Sequence, residues 1–172
     1  MRLREAVAVP VGVATMMVAL ALSAPKVVAQ GDNNPDVTEV RHYQLTLDKA
    51  QKTAMAMQSI NQLIAANPNL SAAMDAGSET TGQKSITQQA QDINSKYPQV
   101  AAIIKQNGLT TREFIVATGA IINDMGWVGL KKQGIFKTYP AGMITPENAA
   151  LLEANWDAFQ AIGAKMTPPN SR

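Results

Sequence analysis

The sequence predicts an all-α protein, a compact bundle of four to six helices behind an N-terminal signal peptide, and three observations predict it. Apolar residues recur at three- and four-residue spacing over 47–66, 114–125 and 152–166, the period of a helix with one buried face. A threonine able to cap a helix precedes each of these segments, at Thr46, Thr110 and Thr145. The stretch with strand-like alternation, "VTEVRHYQL" at 37–45, has no second strand to pair with.

At the N-terminus, Arg2 and Arg4 form a basic start and residues 6–24 are uncharged, the composition of an export signal. Cleavage fits best after Ala29, where "VVA" is followed by Gln30. The alternative is an inner-membrane anchor formed by uncleaved residues 6–24, because that run approaches the roughly 18 to 20 residues that cross a bilayer. Residues 30–45 read as a linker and an extended lead-in, 46–166 as the helical domain, and 167–172 as a polar tail that frays.

Within the domain, Thr46 starts a helix from Leu47 to about Ala66, with Asp48 in its first turn and Leu47, Ala50, Ala54, Met57, Ile60 and Ile64 inward. Pro68 stops it. A short turn at 70–75 is followed by a loop, "AGSETTGQK". Ser85 and Gln88 have capping-box spacing and open a short helix facing inward through Ile86, Ala90 and Ile93. Pro98 can begin the next, with Val100, Ile103 and Ile104 inward, and Asn107-Gly108 ends it. Thr110 and Glu113 then repeat the capping-box spacing, flanked by Leu109 and Phe114 as a hydrophobic staple. The helix they open is apolar nearly all round and is expected to be central, with the segments at 47–66, 98–106 and 146–166 packed around it. Gly119 and Gly126 lie inside it at up to about 1 kcal/mol each relative to alanine, a cost that close approach of another backbone offsets. After Lys131, Lys132 and Gly134 comes a loop, and Thr145, Pro146 and Glu147 open a last helix with Leu152, Trp156, Phe159 and Ile162 inward.

Charge and composition exclude several functions. Residues 1–29 hold three of the 15 basic residues and one of the 13 acidic ones, so twelve of each sign remain. Without the leader there is no net positive field for nucleic acid or anionic lipid, and membrane contact is expected only through the signal segment if it stays uncleaved. The absence of cysteine excludes thiol nucleophiles, thiolate-bound metals and disulfides. No phosphate loop, nucleophile elbow, zinc motif or calcium loop occurs, and no cofactor is implied.

Few residues remain as candidates for chemistry. His42, the lone histidine, reads as a surface or packing residue. Glu153 and Asp157 stand i, i+4 on one expected helix, where two carboxylates could hold a hard cation or exchange a proton; like charges at that spacing are also ordinary on a solvated face. Asp124, beside "MGW", is a third carboxylate to consider. Trp127, Trp156, Phe114, Phe159 and the methionines could line an apolar pocket or simply form the core. Thr46, Thr110, Glu113 and Thr145 are read as structural caps.

Two segments, "HYQLTLDKAQK" at 42–52 and "KQNGLTTREFIVATGAIINDMG" at 105–126, cover about a fifth of the chain. They resemble a group of small bacterial helical proteins with signal peptides, which open on Tyr-x-Leu-Thr and carry a Gly-Leu-Thr-x-Arg-Glu-Phe-like helix start. The resemblance implies a secreted or periplasmic helical domain and transfers no catalytic residue. The expected function is a non-enzymatic interaction or binding module in the periplasm or outside the cell, with an unknown protein partner. A carrier or sensor of a small apolar ligand is the alternative, and an enzyme with a carboxylate site is third.

Overall fold

A computed structural model describes residues 34–79 and 84–168. The signal peptide, residues 30–33 of the linker, residues 80–83 of the loop before α4 and the end of the tail lie outside the described residues. Every regular element among the described residues is a helix, and there are eight: α1 (Pro35–Arg41), α2 (Leu47–Ala66), α3 (Pro68–Glu79), α4 (Ile86–Lys96), α5 (Pro98–Gln106), α6 (Thr111–Lys132), α7 (Pro146–Ala154) and α8 (Trp156–Met166).

Helix α1 occupies sequence expected to be linker and extended lead-in. Asn34 caps it by accepting a hydrogen bond from the Asp36 amide at 2.9 Å, Pro35 sits in its first turn with φ already helical, and Asp36 places a negative charge at the positive end. The β-branched Val37 and Val40 suggest a strand locally, yet three residues apart on a helix they share one face, and both are buried. Burial of that face outweighs strand propensity, which is a weak local preference. Val40 rests on α6 so closely that a Cβ on Gly119 would lie 3.2 Å from its methyl groups.

Helices α2, α6 and α7 start at threonine caps, with the hydroxyls of Thr46, Thr110 and Thr145 accepting from the amides of Lys49, Glu113 and Asn148. At α4 the reciprocal box is complete: Ser85 accepts from the Gln88 amide and the Gln88 side chain accepts from the Ser85 amide. Pro68 begins α3 as well as ending α2, so the turn expected at 70–75 is three turns of helix. Gly108 closes the α5–α6 junction at φ 76°, a left-handed conformation that glycine adopts without steric cost.

Helix α6 is the axis of the bundle. It packs against α1, α2, α4, α5 and α7, and its first half, from Phe114 to Ile121, is buried without interruption. Arg112 on its first turn bonds both carboxylate oxygens of Glu39 on α1 and the Thr87 hydroxyl on α4, and Thr111 donates to Asn94 at 2.6 Å. The last helix of the sequence reading is two helices. Asn155 breaks it at φ −124°, where its side-chain amide bonds back to the Leu151 carbonyl at 2.9 Å. A local side-chain bond of this kind offers the backbone an alternative to continuing the helix. The break changes the packing: α7 lies on α6, whereas α8 lies chiefly along α2, burying Phe159 and Ile162. No helix among the described residues is long and apolar enough to cross a membrane.

Candidate functional site

The second half of α6 carries a buried polar cluster. Asp124 is wholly buried there. Its two carboxylate oxygens accept from the side-chain amides of Asn123 at 2.9 Å and Asn148 at 2.8 Å. Asn148, at the start of α7, also donates to the Tyr43 carbonyl at 2.8 Å and accepts from the Leu45 amide at 3.1 Å. Asn123 reaches the Met143 carbonyl at 2.8 Å. One carboxylate and two amides thereby join α6, α7, the loop before α7 and the 43–45 segment before α2. Burial, opposed in part by the bonds from Asn123 and Asn148, pushes the Asp124 carboxyl up to about 6. Those partners are amides that satisfy a buried acceptor, an arrangement suited to holding elements together.

Glu153 and Asp157 do not form a pair on one helix, because Asn155 places them on α7 and α8. Glu153 is instead held by Lys131 at 2.6 Å and by the Tyr139 hydroxyl, and these two bonds, Lys131 first, lower its carboxyl. Burial, followed by the bond to Glu153, raises Tyr139. Asp157 is exposed in the first turn of α8, and His42 is exposed at the end of α1. Among the described residues no three histidine, aspartate or glutamate side chains gather as a metal site would require.

Glu113 lies in the first turn of α6 as expected, but its carboxylate does not reach back to the cap. It accepts from the Tyr43 hydroxyl at 3.1 Å and pairs with Lys49 at 3.3 Å, tying α2 and the preceding segment to the start of α6. Tyr43 is raised, by burial first and then by the Glu113 charge. For Lys49 burial pulls downward, and the bonds to Glu113 and Tyr43 together win and raise it.

The other concentration of side chains lies where α6 ends. Trp127 meets Phe136 at 5.7 Å between ring centres, and Phe136 meets Tyr139 edge-on at 6.0 Å. Lys131 stands 4.5 Å over the Tyr139 ring and Lys132 5.5 Å over Trp156. In the chain segment that holds this half-buried cluster, the Ile135 amide bonds the Leu130 carbonyl at 3.2 Å, closing the backbone turn that ends α6. Both are exposed, Leu130 at 36% and Ile135 at 62%. The sequence predicts Trp127 and Trp156 in a core or pocket and "IFKTYPAGM" as a loop. An Ile-Phe pair directly after a helix-ending glycine was the signal available in the sequence.

Comparison with protein-family models, curated proteins and solved structures yields no match to this chain.

Proposed function

We propose that the protein is a non-enzymatic interaction or binding module that acts after export, in the periplasm or outside the cell. The observation that carries this reading is that Leu130 and Ile135 are exposed in the same segment of chain that holds the Trp127–Phe136–Tyr139 cluster. Large aliphatic side chains left in water in a segment rich in aromatic rings are a common mark of a contact surface. The carboxylates that could have done chemistry support the same reading. Asp124 is spent on two amides, and Glu153 on a lysine and a tyrosine. Export rests on the basic start and the uncharged run at 6–24.

The test is a photo-crosslinking residue at position 135 in an exporting bacterial host, with the same residue at exposed position 51 on α2 as the control. A discrete adduct from 135 alone is expected. Equal or absent labelling at the two positions sinks the reading.

A further inference from the structure

We propose that the end of the molecule formed by the last turns of α6 and the 133–145 loop docks on an anionic phospholipid surface. The proposal rests on the interaction reading above and names its partner.

Charge is the first argument. The chain after residue 29 is neutral overall, yet between Asp124 and Glu147 it carries Lys131, Lys132 and Lys137 and no acid. Glu153 reaches this face, where it is bonded to Lys131 and Tyr139, while Lys132 and Lys137 are exposed. The face is therefore locally basic, and overall neutrality hides it. A local cluster of lysines matters at short range because salt screens charges beyond about 10 Å.

Residue type is the second argument. Protein-binding surfaces that use aromatic side chains are depleted in lysine, whereas tryptophan, tyrosine and lysine occur together where a protein meets lipid headgroups. Here Lys131 and Lys132 lie over the rings of Tyr139 and Trp156, so their stems run along apolar surface. Ile135, more exposed than Leu130, supplies the apolar group that would enter the headgroup region. One protruding aliphatic side chain with a few lysines makes a weak, salt-sensitive attachment that needs anionic lipid.

The experiment uses the intrinsic fluorescence of the full chain. Its two tryptophans, Trp127 and Trp156, both belong to this end, so quenching by brominated lipid reports on this face even if the N-terminal segment also enters the bilayer. Vesicles of phosphatidylcholine and phosphatidylglycerol containing brominated phosphatidylcholine are expected to quench the emission. The effect should weaken with added salt and be absent from vesicles of phosphatidylcholine alone. Lys132→Gln with Lys137→Gln should weaken partition by roughly thirtyfold at low salt. Ile135→Asp should weaken it further, with the urea midpoint of each variant unchanged.

Vesicle-bound protein with unquenched tryptophans would overturn the proposal, as would equal quenching on neutral and anionic vesicles. A dimer in sedimentation equilibrium whose tryptophans stay unquenched would also overturn it and give this face to a second copy. If the vesicles fail but position 135 captures a protein, the interaction reading stands and the lipid assignment falls; if both fail, both fall.

Discussion

The two ends of α6 carry the same three side chains in mirrored roles. At the start, Glu113 belongs to α6, while Tyr43 and Lys49 come from outside it. At the finish, Lys131 belongs to α6, while Glu153 and Tyr139 come from outside it. At each end the lysine also stands over the tyrosine ring, at 5.0 Å and 4.5 Å. The helix dipole accounts for the mirror: the positive N-terminal end favours an acid on the helix and the negative C-terminal end favours a base. The surroundings are nevertheless opposite. Tyr43 lies between buried Val40 and Leu45 and its carbonyl is bonded to Asn148, so the first end is closed. Tyr139 lies in a loop whose Ile135 is open to solvent, so the second end remains a surface. A tyrosine–glutamate–lysine cluster orders a helix end without deciding whether that end is core or interface.

The largest effect is expected from Asn148→Ala, since Asn148 joins Tyr43 and Leu45 of the closed end to Asp124 in the second half of α6. Loss of that amide leaves the Leu45 amide and one Asp124 oxygen without their partners, and a cost of roughly 3 to 5 kcal/mol is expected in urea denaturation. A loss below about 1 kcal/mol would mean that the two regions are not coupled through this residue.

Asp124 sharpens the same link through pH. Its folded-state carboxyl, about 6, lies above the ordinary value of 3.8, so the native state keeps the proton longer than the unfolded chain. The stability it contributes is full below pH 4, declines as pH rises to about 6 and then levels, by at most about 3 kcal/mol. Asp92 and Glu153, both lowered, act in the opposite sense as pH falls, so the measurement is the difference between wild type and Asp124→Asn across pH 4 to 7. A difference that does not change with pH would remove Asp124 as the titrating group.

Two of the three glycines of α6, Gly119 and Gly126, contrast its buried first half with its partly exposed second half. Gly119→Ala sets a methyl 3.2 Å from Val40, a buried β-branched residue with little freedom to move, and should destabilise by about 1 kcal/mol net of the propensity gain. Beyond its chain neighbours and the backbone of its own helix, Gly126 has no atom within 4 Å of the position a Cβ would take, so Gly126→Ala should stabilise by up to about 1 kcal/mol. Thermal melts of the two variants should move in opposite directions.

The smallest effects come from the clusters themselves. Glu113→Gln and Glu153→Gln are each expected to cost under about 1 kcal/mol, because the ion pairs are partly exposed. They should part in vesicle binding. Glu153→Gln frees Lys131 and should strengthen quenching on anionic vesicles, while Glu113→Gln should leave it unchanged.

Much of the local architecture was legible because it rests on bonds between residues at most four apart. Thr46, Thr110 and Thr145 each bond an amide three residues ahead, and the Ser85–Gln88 box has the same reach. The spacing of Ala50, Ala54, Met57 and Ile60 likewise carries one face of α2 without reference to the rest of the chain. Helix α1 was obscured because its start, "NPD", also reads as a linker and its valines read as strand. Asn155 was obscured because asparagine is tolerated inside a helix, and nothing next to it forbids continuing.

Capping and periodicity are short-range properties of the backbone, so the order of residues alone indicated an all-helical domain, where most of its described helices begin, and the apolar side of α2 and α4 to α6. Only the tertiary structure decided that Asp124 is held by Asn148, 24 residues away, and that Asn148 reaches Leu45, 103 residues back. It also decided that Glu113 turns from its own cap to Tyr43, 70 residues earlier, and that α8 lies along α2. Such contacts leave no period in the chain, because each depends on which faces bury the most apolar surface together and on which polar groups must then find a partner out of water.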